Sequence, residues 1–313
     1  FIPYKRFNFI LKMKYSKLYN FDSNQYDAVE ISKIDEKIYL LKLFVKEISG
    51  IIIKKKNKFK RTKNVSLNEY DNNWKEERQS ISLKNFNSLE DFAFLKILNG
   101  INTKEIFGNY LMNGKIYKTS PYDYNRFCII PLYNFLLKHT ITQDVICELG
   151  CGSGRNLFRL KVLQLKNKLE GFEPSKNANE FSNEINHHFS TNIEFSSLDL
   201  TEKIDKNALA GKTVFTHYVM EQLKHSMSTV IENILESKPK QVIHFEPTVD
   251  LFKNSFRDIT AKAYFQATDY QNNLLTVLKK FENEKKLKIH DYFRLGYGKP
   301  NYEQCLIHWS PIN

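Results

Sequence analysis

The sequence predicts a mostly parallel, doubly wound α/β sheet over residues 116–313, edged by an antiparallel C-terminal hairpin and preceded by a mostly helical region over residues 1–115. Three observations carry this. From about residue 120, short apolar, β-branched runs alternate with helical periods, the pattern of a parallel sheet. A glycine-rich turn stands directly between the first of those runs and the helix after it. The last two runs follow one another with only a Gly296–Asn301 turn between them, which suits a hairpin rather than a crossover.

In chain order, Val29, Ile34, Ile38, Leu41, Val45, Ile48 and Ile52 recur at three- and four-residue steps and predict an amphipathic helix of about 25 residues with a buried apolar face. Residues 54–80 are polar and aperiodic and predict an exposed loop. Ser88-x-x-Asp91 reads as a capping box that opens a helix running to Leu98. A helix is expected over Ile129–Lys138, then strands at Asp144–Glu148, Lys168–Phe172, Asn192–Ser196, Thr213–Thr216 and Gln241–Phe245, with helices between them. One long helix is expected over Asn254–Lys286, and the closing strands at Lys288–Arg294 and Gln304–Trp309.

Composition narrows the function classes. A hydrophobic share of 42% and a charged share of 26% are ordinary for a globular chain and exclude a mostly disordered one. The most apolar stretch, Phe127–Leu137, is too short to span a bilayer and contains Pro131 and Asn134. Lys5, Arg6, Lys12, Lys14 and Lys17 interrupt any apolar core of a secretory leader in the residues given. Of the +12 net charge, +9 lies in residues 1–115, where 22 Lys and Arg meet 13 Asp and Glu. That basicity invites a nucleic-acid or anionic-surface reading. The cations are 39 Lys against 8 Arg, however, whereas bidentate base and phosphate readers lean on Arg. The lysine run from Lys54 to Lys63 is interleaved by one aromatic, Phe59, fewer than stacking readers of single strands use. Cys128, Cys147, Cys151 and Cys305 form no C-x-x-C pair, so no zinc site or disulfide framework is expected and a reducing, cytoplasmic compartment fits.

The chemistry-bearing motif is Glu148-Leu-Gly150-Cys-Gly152-Ser-Gly154, after the run Val145-Ile146-Cys147 and before a helix. Alternate glycines let the backbone turn and approach a ligand, and the helix start offers unpaired N–H groups. Dinucleotide sites use G-x-G-x-x-G; here the spacing is G-x-G-x-G with an acid two residues ahead, which suits a ligand with a cationic amino-acid end. The segment resembles the first motif of class I S-adenosylmethionine-dependent methyltransferases, a Rossmann-like superfamily. Glu173 after Gly171-Phe172, Asp199-Leu200 after the third strand, and Val219-Met220-Glu221-Gln222-Leu223 after the fourth fall where that family places its later motifs. The last is similar to a Val-Leu-Glu-His-Leu segment, with Gln222 where His is usual. The resemblance covers residues 120–313 and implies S-adenosylmethionine as cofactor. It implies that Glu148, Gly150, Gly152 and Gly154 cradle the cofactor, that Glu173 takes both ribose hydroxyls, and that Asp199 and the Leu200 backbone hold the adenine.

Methyl transfer is mainly a matter of positioning, and a hydroxyl acceptor also needs a base. His217 and Glu221 follow the fourth strand, and His244 and Glu246 share one face of the fifth, at the sheet edge where ligands bind. We read His217, Glu221 and His244 as catalytic candidates, and Tyr122, Tyr124, Arg126 and Glu246 as acceptor-binding candidates. A metal held by these His and Glu side chains is the weaker reading, because Gln222 stands where the metal version has His. No Asn/Asp-Pro-Pro-Tyr follows the fourth strand, which disfavours exocyclic-amine chemistry. The expected activity is O-methylation of a small molecule or sugar, with residues 1–115 serving acceptor recognition, as a lid or in dimerisation. RNA or protein methylation, or a non-enzymatic scaffold, are the alternatives.

Overall fold

Ten strands hydrogen-bond into one sheet in the computed structural model, which describes residues 23–57, 63–98, 101–223, 227–270 and 273–312. The N-terminal elements are β1 (Val29–Glu30), α1 (Lys33–Asn57), α2 (Lys63–Ser80), α3 (Leu89–Ala93), β2 (Ile97–Leu98), β3 (Ile101–Asn102), β4 (Gly108–Met112) and β5 (Lys115–Thr119). There follow α4 (Pro121–His139), β6 (Val145–Leu149), α5 (Arg155–Val162), β7 (Lys168–Phe172), α6 (Lys176–Phe189), β8 (Glu194–Ser196) and β9 (Thr213–His217). The chain closes with α7 (Met227–Glu236), β10 (Gln241–Glu246), α8 (Phe256–Thr268), α9 (Leu274–Asn283), β11 (Leu287–Lys299) and β12 (Tyr302–Pro311).

The sheet order is β1-β5-β4-β11-β12-β10-β9-β6-β7-β8. From β8 to β10 all pairs are parallel, and β12 and β11 join antiparallel as expected of the C-terminal hairpin, with β4 pairing beyond β11. The reversal of strand order between β6 and β9 leaves a crevice at their carboxyl ends. β6, β9 and β10 are buried on both faces, which explains why consecutive residues such as Ile146-Cys147, Val214-Phe215 and Val242-Ile243 are apolar rather than alternating. Three of the helices around the crevice are capped by serines: Ser120, Ser175 and Ser255 accept from the N–H groups of Asp123, Ala178 and Asp258.

Several sequence expectations change. A division at 115/116 would cut through the hairpin of β4 and β5, whose Asn113-Gly114 turn has φ of 49° and 78°. With β1, this hairpin extends the main sheet beyond β11, so the N-terminal region adds strands to the C-terminal sheet. The expected loop over 54–80 is helix at both ends, α1 to Asn57 and α2 from Lys63. Part of the lysine run, Lys58, Lys60 and Arg61, lies outside the described residues. The helix opened by Ser88 stops at Ala93, because Leu95 turns left-handed at φ 56°. The single helix expected over 254–286 is two, α8 ending at Asp269 in the left-handed region. The helix expected at 129 starts at Pro121, pre-set for a first helical turn. β11 runs through Gly296 and bulges between Arg294 and Gly298, so the tight turn is Pro300-Asn301. Lastly, the apolar stripe of α1 faces solvent: Ile34 is 71% exposed and Leu41 53%.

Candidate active site

At the carboxyl ends of β6, β7 and β9 lies a cavity of about 680 Å³. Its inner wall is the glycine turn. The N–H groups of Gly150 and Cys151 both donate to the Phe172 carbonyl, at 2.7 and 3.1 Å, which folds the turn back over β7. Gly150 and Gly152 sit at φ 68° and 53°, and a Cβ on either would collide with Val219 or with the Trp74 ring. Gly154 starts α5 behind this wall, against Phe195.

Three carboxylates converge here from three strand ends. Glu148, at the end of β6, is buried; its Oε1 accepts from Asn156 Nδ2 at 2.7 Å, and its Oε2 has no donor. Burial pushes its carboxyl up to about 8 against the Asn156 hydrogen bond. Glu173, after β7, takes the N–H of Gly152 on one oxygen at 2.9 Å and that of Ser175 on the other at 3.0 Å. Burial raises its pKa, and the two N–H groups oppose that. Asp199 Oδ1 accepts from the N–H and hydroxyl of Thr201, at 2.8 and 2.6 Å. The Leu200 side chain is buried away from the cavity, and its carbonyl accepts from Asn233.

Helix α2 forms the outer wall, which the sequence reading treated as loop. Leu67, Tyr70 and Trp74, three and four residues apart, face the cavity. Polar residues on the same helix dock it. Asp71 accepts from Ser175 Oγ at 2.7 Å and from both the N–H and side chain of Asn177, at the start of α6. Glu77 pairs with Arg155, and Arg78 with Glu180 and Glu184. Those partners satisfy the helix's docking charges and leave its Leu67, Tyr70 and Trp74 face to the cavity.

The opposite end is a wall of tyrosines. Tyr124 of α4 stacks on Tyr110 of β4 with centroids 4.2 Å apart, and Tyr218 stacks on Tyr302 at 5.0 Å. Tyr264, Tyr270 and Tyr297 complete it. Tyr218 holds φ 62°, a strained conformation for a bulky residue and one typical of functional turns. The hydroxyls of Tyr124 and Tyr218 hydrogen-bond to each other. His217 lines the cavity with Nε2 3.2 Å from Gln304 Nε2, and burial beside Arg159 lowers its pKa to about 3, so it is neutral. Arg159 lines the cavity too, a buried cation whose Nε donates to the Ala93 carbonyl at 2.9 Å.

Five of the catalytic and acceptor-binding candidates lie off the cavity. His244 is a core histidine: Nδ1 meets Thr216 Oγ1 at 2.9 Å and Nε2 accepts from Trp309 at 2.9 Å, so neither nitrogen reaches a ligand. Tyr122 is buried edge-on against Phe94, with Lys104 4.6 Å over its ring. Arg126 stays at the surface beside Asp123 and Tyr122. Glu246 lies one layer below, both oxygens accepting the Val219 N–H at 3.1 and 3.0 Å. Glu221 is buried behind Tyr302, whose hydroxyl donates to its Oε1. Its Oε2 has no donor other than the adjoining Glu246 carboxyl, so the pair shares a proton: like charges in contact do not both ionise. Burial raises both carboxyls, and the charge of Glu221 pushes Glu246 further. Among the described residues, no group of three or more His, Cys, Asp or Glu is arranged to hold a metal ion, and no helix is long and apolar enough to cross a membrane.

The residues missed by sequence reading are Trp74, Arg159, Tyr110, Tyr302 and Gln304. The Leu67-Tyr70-Trp74 spacing was the available signal for α2, and Asn113-Gly114 for the hairpin bearing Tyr110.

No family model matches the chain, and no curated protein matches it. Among solved structures it is similar to magnesium protoporphyrin IX methyltransferase from Synechocystis PCC 6803 with bound SAH, at 14% identity over 59% of this chain and 82% of that one, TM-score 0.46. It is also similar to geranyl diphosphate C-methyltransferase from Streptomyces coelicolor A3(2), at 12% identity over 58% and 78%, TM-score 0.42. A third is a protein from Pyrococcus horikoshii OT3, at 14% identity over 60% and 91%, TM-score 0.46.

Proposed function

We propose that this chain is an S-adenosylmethionine-dependent methyltransferase that methylates a hydroxyl of a small molecule, sugars among the candidates. The observation that carries it is the convergence of Glu148, Glu173 and Asp199 on the glycine-turn wall of a single cavity. The site fits the cofactor on this chain's own terms. Glu148 Oε2, buried and lacking a donor, is matched by the ammonium of the cofactor's amino-acid end. Each Glu173 oxygen has one backbone donor and a lone pair left for a ribose hydroxyl. Asp199, steered by Thr201, faces the adenine side. When bound, the cofactor supplies an electrophilic sulfonium methyl.

The remaining chemistry belongs to the protein. The tyrosine wall and the α2 lid exclude water and orient the acceptor. His217 is neutral and its one acceptor nitrogen is engaged: Nε2 accepts from Gln304 Nε2, which fixes the ring at the cavity wall. Proton removal runs through Tyr302: its oxygen takes the acceptor's hydroxyl proton as its own passes to Glu221, whose partner Glu246 retains the shared one. A tyrosine-lined cavity of about 680 Å³ supports a small acceptor over a polymer. Four buried, unbridged cysteines support a reducing, cytoplasmic setting.

Calorimetric titration tests the reading. Wild type is expected to bind S-adenosylmethionine and S-adenosylhomocysteine in the micromolar range, and Glu173→Ala to bind at least about tenfold more weakly, as loss of charge-assisted hydrogen bonds implies. A folded wild-type protein that binds neither overturns it.

A further inference from the structure

We propose that α1 is one strand of an antiparallel, two-stranded coiled coil formed with a second copy of this chain. The proposal is independent of the catalytic reading. Along α1, Ile34, Ile38, Leu41, Val45, Ile48 and Ile52 alternate steps of four and three without interruption, the 3.5-residue repeat of a coiled-coil seam. All six are exposed, between 36% and 71%, while Leu40 and Glu47 on the opposite side of the helix are buried against the chain's own body. A single-chain surface helix presents its apolar stripe inward; here the inward face is served by other residues and the regular stripe is left outside.

The stripe matches itself. A two-fold axis through residue 43 pairs Ile34 with Ile52, Ile38 with Ile48, and Leu41 with Val45 of the second copy, so every seam position meets an aliphatic partner. With Ile34 at position d, the flanking positions on one side are Asp35, Lys42 and Ser49, and on the other Lys37, Phe44 and Ile51. An antiparallel pair sets each side against its own kind. Phe44 then faces Phe44 of the second copy, flanked by Phe256 of α8, whose ring lies 5.6 Å from Phe44 and which is itself 42% exposed. Ile259, exposed one turn along α8, extends that apolar margin. A parallel pair would instead set Lys37 against Lys42 twice and strand the Phe256 margin in solvent. The antiparallel pair leaves a single like-charge contact, Lys42 against its own copy.

Sedimentation equilibrium and cysteine cross-linking test this on the whole chain. Wild type is expected to dimerise. Leu41→Asp with Val45→Asp places charges in the seam and raises the dissociation constant at least about 100-fold; both sites are more than half exposed in the single chain, so the melting curve of the monomer stays as it was. Lys42→Ala removes the axial repulsion and tightens the dimer about twofold. The four native cysteines are buried, so an introduced thiol is the reactive one. Oxidised Lys42→Cys is expected to form a covalent dimer, and Ile52→Cys not, since its two copies stand about 27 Å apart at 1.5 Å per residue. Cross-linking through Ile52→Cys but not Lys42→Cys overturns the antiparallel arrangement. A monomeric wild type, including one whose stripe binds phosphatidylglycerol vesicles or residues 1–22 instead, overturns the proposal.

Discussion

The two ends of the cavity are built in different ways. The glycine-turn end comes from one stretch, residues 148–201, in which backbone N–H groups, tight turns and strand-end carboxylates do the work. The tyrosine end is assembled from β4, α4, the turn after β9, the end of α8 and the β11–β12 hairpin, segments nearly 200 residues apart in the chain. A site made of backbone tolerates few substitutions and depends on local sequence. A site made of converging rings can change its acceptor by changing one ring, with the frame left alone.

The comparison breaks most severely at Gly152. Gly152→Val forces a left-handed β-branched residue against Trp74 and is expected to weaken cofactor binding by at least about 100-fold in calorimetry. If affinity survives, the turn is not the cradle. At the other end, Tyr302→Phe removes the hydroxyl that reaches Glu221. Its kcat is expected to fall by about 100-fold, with cofactor affinity within a factor of two of wild type. Equal losses in both quantities would mean that the two ends are one unit.

Acid stability reports on the buried imidazoles, His217 at the tyrosine end and two in the core alike. Burial holds His244 and His308 at about 3 in the folded chain, far below the ordinary imidazole value near 6.5. Between those values the unfolded chain takes up protons that the folded chain refuses, so stability intact above pH 6.5 is lost as pH falls toward 3. At pH 5 the loss is about 2 kcal/mol per histidine, read as a lower Tm in calorimetry at pH 5 than at pH 7. An unchanged Tm would place both rings in contact with water.

Glu148 has the opposite sign. Its folded carboxyl sits at about 8, above the ordinary glutamate range, so its contribution is present at low pH and lost as pH rises through 8. Glu148→Gln keeps the Asn156 contact and is expected to stabilise the ligand-free protein at pH 7 by about 1–2 kcal/mol while weakening cofactor binding. A Gln variant that is less stable and binds equally well would show that the orphaned oxygen has no ligand to serve.

How legible each part was follows from where its information lies. The sheet, its antiparallel edge and the glycine turn could be read because strand alternation and turn chemistry are local properties of the backbone. Glu148, Glu173 and Asp199 were legible for the same reason, each a fixed step beyond a strand. His244 was not: its place two residues before Glu246 fits a ligand-facing strand end as well as a core, and only Thr216 and Trp309 closing on its ring nitrogens distinguish them. Helix α2 was hidden because its docking is polar, Asp71, Glu77 and Arg78 reaching for α5 and α6, and the short Leu67-Tyr70-Trp74 spacing is outweighed by the polar residues around it.

What the amino-acid order settled by itself is therefore the α/β frame and the glycine-turn end of the site, because short-range backbone preferences decide both. Tertiary structure alone decided which tyrosines share a wall, that Tyr302 meets Glu221, and that the regular stripe of α1 points away from the body. Periodicity reports that a helix has an apolar face; what covers that face depends on segments far away in the chain, or on a second chain.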